Sequence, residues 1–291
     1  MSPVSSSLYK HWLICIFSYN RAFLLHNLLD SIAAFYPDMQ WAIFDDGSED
    51  PATISLLKEL RQQGISVYIH QRNDLSSKHG GLYNLMNVAL DYAWNNNFRY
   101  AYFVQDDMQF LWRDSTLAQR ISAAFARPEC LMCNCSFLQK ILEAGTAQRL
   151  PLQHGFYSFE GNGVADTGII ALDKAKDAQL SFGSHSERSN GQYWYTKGYR
   201  MYWLPVPHLA WTPSPRSFRD KEVKGGAGFP LLPLQQKDLA RLQHNDSYAY
   251  LEDYTSAKDS LLKPYWYTVS PGRLNLIKIY VRYYLRRLSG R

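Results

Sequence analysis

The first 110 residues alternate between short, wholly apolar runs and longer stretches where apolar residues recur every three or four positions. LICIF (13–17), WAIF (41–44), ISVYI (65–69) and YAYFV (100–104) have the length and continuous apolarity of strands buried on both faces. Between them, residues 22–35 place Phe23, Leu24, Leu28, Ile32 and Phe35 on one helical face. Residues 53–63 do the same with Ile54, Leu57 and Leu60, and Gly64 stands where a helix C-terminus ends in a left-handed residue. Residues 82–94 carry Leu82, Leu85, Met86, Ala89, Leu90 and Ala93 at helical spacing. Strands alternating with helices predict an α/β fold in which a parallel sheet is covered on both faces.

The pattern loosens after residue 110. A helix is expected over 115–126, then a strand through CLMCNCSF. A glycine-rich loop (Gly161, Gly163, Gly168) should lead into the strand GIIAL, and 192–198 reads as a helix end before the strand RMYWLPV (200–206). Glycine and proline dominate KEVKGGAGFPLLP (221–233), read either as an interdomain linker or as a loop closing over the site, and a helical, aromatic-rich tail follows. The expected organisation is therefore a catalytic domain over 1–220 and a Gly/Pro loop with a basic tail over 221–291.

Charge sharpens that division. The chain holds 31 Lys+Arg and 26 Asp+Glu, net +5, yet residues 273–291 alone hold six basic residues and no acidic one. The remainder is nearly neutral, with 25 basic against 26 acidic residues, which disfavours a nucleic-acid-coating protein. Lys278, Arg282 and Arg286 repeat every four residues beside an apolar face of Leu274, Ile277, Val281, Tyr284, Leu285 and Leu288. Such a basic amphipathic helix suits the surface of an anionic membrane, or a helix docked on the catalytic domain with its arginines in water. The N-terminus shows no signal-peptide pattern, so the expected location is cytoplasmic, with the tail allowing peripheral attachment to the inner face of the cytoplasmic membrane. Cys130, Cys133 and Cys135 share one strand, which suits buried reduced thiols better than the paired spacing of a zinc site.

Candidate chemistry follows from the strand ends, because ligands in open α/β sheets bind outside the carboxyl ends of the strands. Strand one is followed by Ser18, Tyr19, Asn20 and Arg21, strand two by Asp45, Asp46, Gly47 and Ser48, and strand four by Gln105, Asp106 and Asp107. Two acidic pairs at one sheet edge repel each other unless a cation or hydrogen-bond donors compensate them. Hard oxygen ligands favour Mg²⁺ or Mn²⁺. Asp50 before Pro51 reads instead as a turn or a helix cap.

SYNR, DDGSED and QDDM, in this order and at these spacings, resemble the family 2 glycosyltransferases over about residues 10–210. The resemblance implies a GT-A-type, Rossmann-like mixed sheet flanked by helices, with a C-terminal helical extension here. It implies a nucleotide-sugar donor, uracil being the implied base with thymine and guanine left open, and a divalent Mn²⁺ or Mg²⁺ ion. By position, Ser18, Asn20, Arg21, Asp45, Asp46, Lys78 and Asp106 would contact the nucleotide, and Asp107 would hold the metal. Lys78 reads equally as a solvated lysine, and His208, after RMYWLPVP, as a metal ligand or as an ordinary surface or core histidine. Asp166, in GNGVADTG, resembles a residue pointing into the sugar and acceptor site. Glu187 lies eleven residues before Gly198-Tyr199-Arg200 and resembles the catalytic base, Asp166 being the alternative, with Ser186-Glu187 standing where the family has Glu-Asp.

The implied reaction is metal-dependent, inverting transfer of a hexosyl-type sugar to a glycan or lipid-linked glycan hydroxyl, as in lipopolysaccharide, capsule or exopolysaccharide assembly. Two rival readings remain. A sugar-nucleotide pyrophosphorylase would carry a glycine-rich loop where SYNRAF stands. A degenerate, non-catalytic scaffold binding nucleotide or glycan keeps its place through the missing aspartate beside Glu187.

Overall fold

The computed structural model describes residues 8–70, 81–137, 147–150, 155–161, 163–183, 186–212, 231, 233–245 and 281. Lys78, most of the 221–233 segment and the basic tail except Val281 lie outside the described residues.

The strands expected in the first half are β1 (Trp12–Ser18), β2 (Gln40–Asp45), β3 (Val67–Ile69) and β4 (Tyr100–Gln105). The helices are α1 (Ala22–Phe35), α2 (Pro51–Gln62) and α3 (Leu82–Asn95). Asp50 caps α2 by accepting from the Thr53 amide at 2.9 Å, with Pro51 at the first helical position. Gly64, at φ +86°, ends the helix.

All seven residues of β1 are buried, and the strand serves two cores. Trp12, Ile14 and Ile16 pack with Leu25, Leu28 and Ile32 of α1 and Leu57 and Leu60 of α2. Leu13, Cys15 and Phe17 pack with Leu85, Met86, Ala89 and Leu90 of α3 on the opposite face. Each fully buried side chain of this size contributes about 1.5–3 kcal/mol relative to exposure.

The second half adds β5 (Met108–Phe110), α4 (Leu117–Phe125), β6 (Cys130–Asn134), β7 (Ala147–Arg149), β8 (Tyr157–Phe159) and β9 (Gly168–Ala171). It closes with α5 (Leu172–Asp177), α6 (Glu187–Thr196), β10 (Arg200–Trp203), β11 (Leu209–Trp211) and α7 (Gln236–Asn245). Nine strands form one mixed sheet in the order β3-β2-β1-β4-β9-β6-β10-β8-β7. β1 pairs in parallel with β2 and β4, whereas β9 runs antiparallel between β4 and β6. β5 and β11 form a separate antiparallel pair.

Two features place the site. The chain leaves β1 for β2 on one side and later returns to β4 on the other, so the strand order switches beside β1. The antiparallel β9 begins level with the end of β4, Gly168 opposite Phe103, and so delivers the residues before it to that same edge. Gly168 fits there because a Cβ would lie 2.7 Å from the Cys133 carbonyl oxygen, and its φ is +138°.

Leu231, Leu234 and Leu242 join the α3-side core, so residues on both sides of position 232 pack against the sheet. The Gln109 side chain accepts from the Leu231 amide at 2.7 Å and donates to its carbonyl at 2.8 Å. The four cysteines are free and buried. Among the described residues, no helix is long and apolar enough to cross a membrane.

Candidate active site

The loops after β1 and β2 are built on one another. Asp45 accepts from the Ser18 hydroxyl at 2.7 Å, the Ser48 amide at 2.7 Å and the Ser48 hydroxyl at 2.6 Å. Asn20, at φ +54°, accepts through its side-chain oxygen from the amides of Glu49 and Asp50 at 2.7 and 2.8 Å. A left-handed residue with a short acceptor side chain is what this crossing requires, and asparagine supplies both. Ser18, Asn20 and Asp45 are thereby engaged in shaping the edge.

Asp46 turns the other way, toward the N-terminus of α3. Both its oxygens accept from the Gly81 amide, at 3.0 and 2.9 Å, a favourable place for a carboxylate. His70 Nδ1 lies 3.6 Å from the same carboxylate. A Cβ on Gly81 would collide with Asp46 Oδ1 and approach His70 Nδ1 at 3.1 Å. Gly81→Ala is therefore expected to cost about 1–3 kcal/mol of stability by overpacking, measured as a lower denaturant midpoint at unchanged m-value.

Asp106 and Asp107, each only 4% exposed, follow β4. Asp106 accepts from the Tyr19 amide at 3.0 Å, and one guanidinium nitrogen of Arg21 reaches Asp106 Oδ1 at 3.2 Å and Asp107 Oδ2 at 3.0 Å. Burial, and then the adjacent Asp107, push the Asp106 carboxyl up from the usual range against the pull of Arg21. Burial likewise pushes Asp107 up against Arg21. One arginine thus faces two buried carboxylates, and Asp107 Oδ1 has no hydrogen-bond partner among the described residues. An orphaned, buried carboxylate oxygen beside a second acid fits a hard divalent cation.

Asp166 arrives on the segment before β9. Continued by two residues, the β4–β9 register sets it opposite Gln105, whose amide nitrogen donates to Asp166 Oδ2 at 3.0 Å. Burial first, and the neighbouring Glu187 second, push its carboxyl up to about 8. Asp107 adds to the same field. Glu187 opens α6, capped by Ser186, which accepts from the Ser189 amide at 3.1 Å. The α6 backbone reaches the glycine loop: the Gly163 amide donates to the Gly191 carbonyl at 3.0 Å, and a Cβ on Gly163 would strike backbone of Gly191 and Tyr195. The close approach that only glycine permits here brings Glu187 within electrostatic reach of Asp166.

The structure therefore gathers Arg21, Asp106, Asp107, Asp166 and Glu187 at one edge, with Asp46 on the neighbouring strand end. The expectation of His208 as a metal ligand is corrected. Its ring is fully buried, stacked on Phe110 at 5.8 Å and flanked by Tyr36 and Trp112, with Nε2 3.2 Å from the Tyr102 hydroxyl. Burial lowers its pKa to about 4, so the ring is neutral near pH 7. Thr212, not His208, sits beside Asp107, its amide donating to the Asp107 carbonyl at 2.6 Å. At about 3.3 Å per extended residue, the four steps from His208 to Thr212 are worth up to roughly 13 Å.

Gly81 and Thr212 stand outside the strand-end residues that the sequence singles out. The Gly80-Gly81 pair ahead of a periodic helix was a readable signal for the first. Thr212 is placed by strand register and left no local one, and register likewise decides that Gln105, named at the end of strand four, meets Asp166.

No protein-family model matches the chain, and no curated protein does. Among solved structures it is similar to S. aureus TarS 1–349, at 17% identity and a TM-score of 0.44, over 68% of this chain and 59% of that one. The same TarS piece in complex with UDP gives 18% and 0.46 over 70% and 61%. The mannosyltransferase PcManGT from Pyrobaculum calidifontis, in complex with GDP-Man and Mn²⁺, gives 15% and 0.44 over 68% and 54%. The chain spans about half to three-fifths of the length of these structures.

Proposed function

We propose that the chain is a metal-dependent, inverting glycosyltransferase that moves a sugar from a nucleotide-sugar donor, read as a UDP-sugar, to a hydroxyl of a glycan or lipid-linked glycan. The observation that carries this reading is the convergence of Asp46, Asp106 and Asp107 at the strand switch with a second acidic pair, Asp166 and Glu187, facing them. The three motifs on these strand ends resemble the same family, which supports the assignment.

In this mechanism Asp46 and Asp106 orient the nucleotide, on loops fixed by Ser18, Asn20 and Asp45. Asp107, through Oδ1, would hold Mn²⁺ or Mg²⁺. When bound, such a cation offsets the charge that builds on the departing diphosphate, an effect worth several kcal/mol. Arg21 offsets the charge of the Asp106–Asp107 pair. Asp166 removes the proton of the acceptor hydroxyl. As the acceptor oxygen bonds to the anomeric carbon, the carbon–oxygen bond to the diphosphate breaks on the opposite face, and the nucleoside diphosphate leaves with that electron pair. Asp166 is favoured over Glu187 as base because its carboxyl is held near the pH at which it must take a proton. Glu187, exposed at the start of α6, tunes that value.

A panel of UDP, GDP, dTDP, ADP and CMP with and without Mn²⁺ tests the reading by thermal shift. UDP with Mn²⁺ is expected to raise the melting temperature by several degrees, since ligand at about 100 times its Kd stabilises by about 2.7 kcal/mol. Slow hydrolysis of a UDP-sugar in the same buffer would separate an enzyme from a nucleotide-binding scaffold. No shift with any nucleotide plus Mn²⁺ would refute the assignment.

A further inference from the structure

We propose that Thr212 supplies a second protein oxygen to the divalent cation, from the strand facing Asp107; this rests on the metal reading above. The β5–β11 pairing runs Phe110 with Leu209, Gln109 with Ala210 and Met108 with Trp211. One further step places Thr212 opposite Asp107, and the 2.6 Å bond from the Thr212 amide to the Asp107 carbonyl closes that step. Asp107 lies in the turn between β4 and β5, and this backbone bond brings Thr212 directly beside it. Thr212 also precedes Pro213, which biases it toward the extended backbone such a step needs.

Both side chains are buried with unused capacity. Thr212 is 1% exposed, and its Oγ1 has no partner among the described residues. Asp107 spends Oδ2 on Arg21 and leaves Oδ1 equally unpartnered. Other buried side-chain atoms among the described residues also lack a partner, His208 Nδ1 among them, but Thr212 Oγ1 and Asp107 Oδ1 belong to residues joined by a backbone bond beside the acids, where a ligand can take up both. A charged and a neutral oxygen together suit a hard cation that keeps phosphate oxygens and water in its remaining positions. Among the described residues no three His, Cys, Asp or Glu side chains gather into a cage, which makes a neutral oxygen donor consequential. Thr212 binds the cation directly or through one water.

The test is Mn²⁺ affinity, read by the electron paramagnetic resonance signal of free Mn²⁺ with and without UDP. Thr212→Val and Thr212→Ala, which both lack the oxygen, are expected to weaken Mn²⁺ binding by about 10–100-fold, as losing a supporting ligand typically does, while Thr212→Ser stays near the parent. Melting temperature in EDTA checks the fold, and neither variant should melt lower than Thr212→Ser by more than a few degrees. If Thr212→Val and Thr212→Ala bind Mn²⁺ like the parent while Asp107→Asn does not, the Thr212 assignment fails. If Asp107→Asn also binds like the parent, the metal reading itself fails.

Discussion

Asp107→Asn is expected to lower donor turnover by about 10²–10³-fold, because several kcal/mol of leaving-group stabilisation disappear and each 1.36 kcal/mol is tenfold in rate. The substitution keeps the shape of the side chain and one of its two oxygens, but removes the charge that would make Oδ1 a metal ligand. Arg21 retains Asp106 as its partner. A buried carboxylate beside another is replaced by a neutral amide, so the variant should melt no lower than the parent in EDTA. The measurement is UDP-sugar turnover against Mn²⁺ concentration: the parent should saturate, and the variant should stay flat. Metal-dependent turnover in Asp107→Asn at the parent's rate would remove Asp107 from the mechanism.

The second large effect concerns Asp166. With its carboxyl held at about 8, the fraction able to accept a proton grows tenfold per pH unit below that value and levels off above it. The kcat/KM of the parent should follow that rise. Asp166→Asn should lower it by about 10²–10⁴-fold and abolish the rise. Glu187→Gln removes the neighbouring charge that raises Asp166, so the rising limb should move to lower pH while most of the plateau rate survives. A large loss in Glu187→Gln, with Asp166→Asn near parent activity, would transfer the base role to Glu187. Stability carries the same signature. Between 3.8, the ordinary value, and about 8 the folded chain holds a proton that the unfolded chain has lost, so stability falls as pH rises through this window. Asp166→Asn should flatten that fall.

The core of the fold was readable because its signals are local. α1 begins and ends at the residues its apolar spacing predicts, and β1, β2 and β4 each extend their apolar runs by a residue or two. Asp50 and Gly64 announced the ends of α2 in the chemistry of single residues. Of the three-residue strands, β3 was legible inside the apolar run ISVYI, whereas β5, β7, β8 and β11 were not, since segments that short without such a run exist only through their partners. The mixed character of the sheet enters through β9, whose sequence GIIA is as apolar as any parallel strand. Nothing in it states a direction.

His208 shows the limit most clearly. In sequence it follows a strand, as a ligand might. In the structure, the β5–β11 pair carries it into an aromatic cluster and sets Thr212 at the acids instead. The sequence by itself determined which strands are buried and therefore which residues follow them: Asp46, Asp106 and Asp107 at one edge, by burial periodicity and the rule of carboxyl ends. Only the tertiary structure decided what faces them. Asp166, Glu187 and Thr212 come from segments far apart in the chain, and their places are set by strand register and by a backbone contact at Gly163. Register is a choice among non-local pairings whose energies no single segment contains.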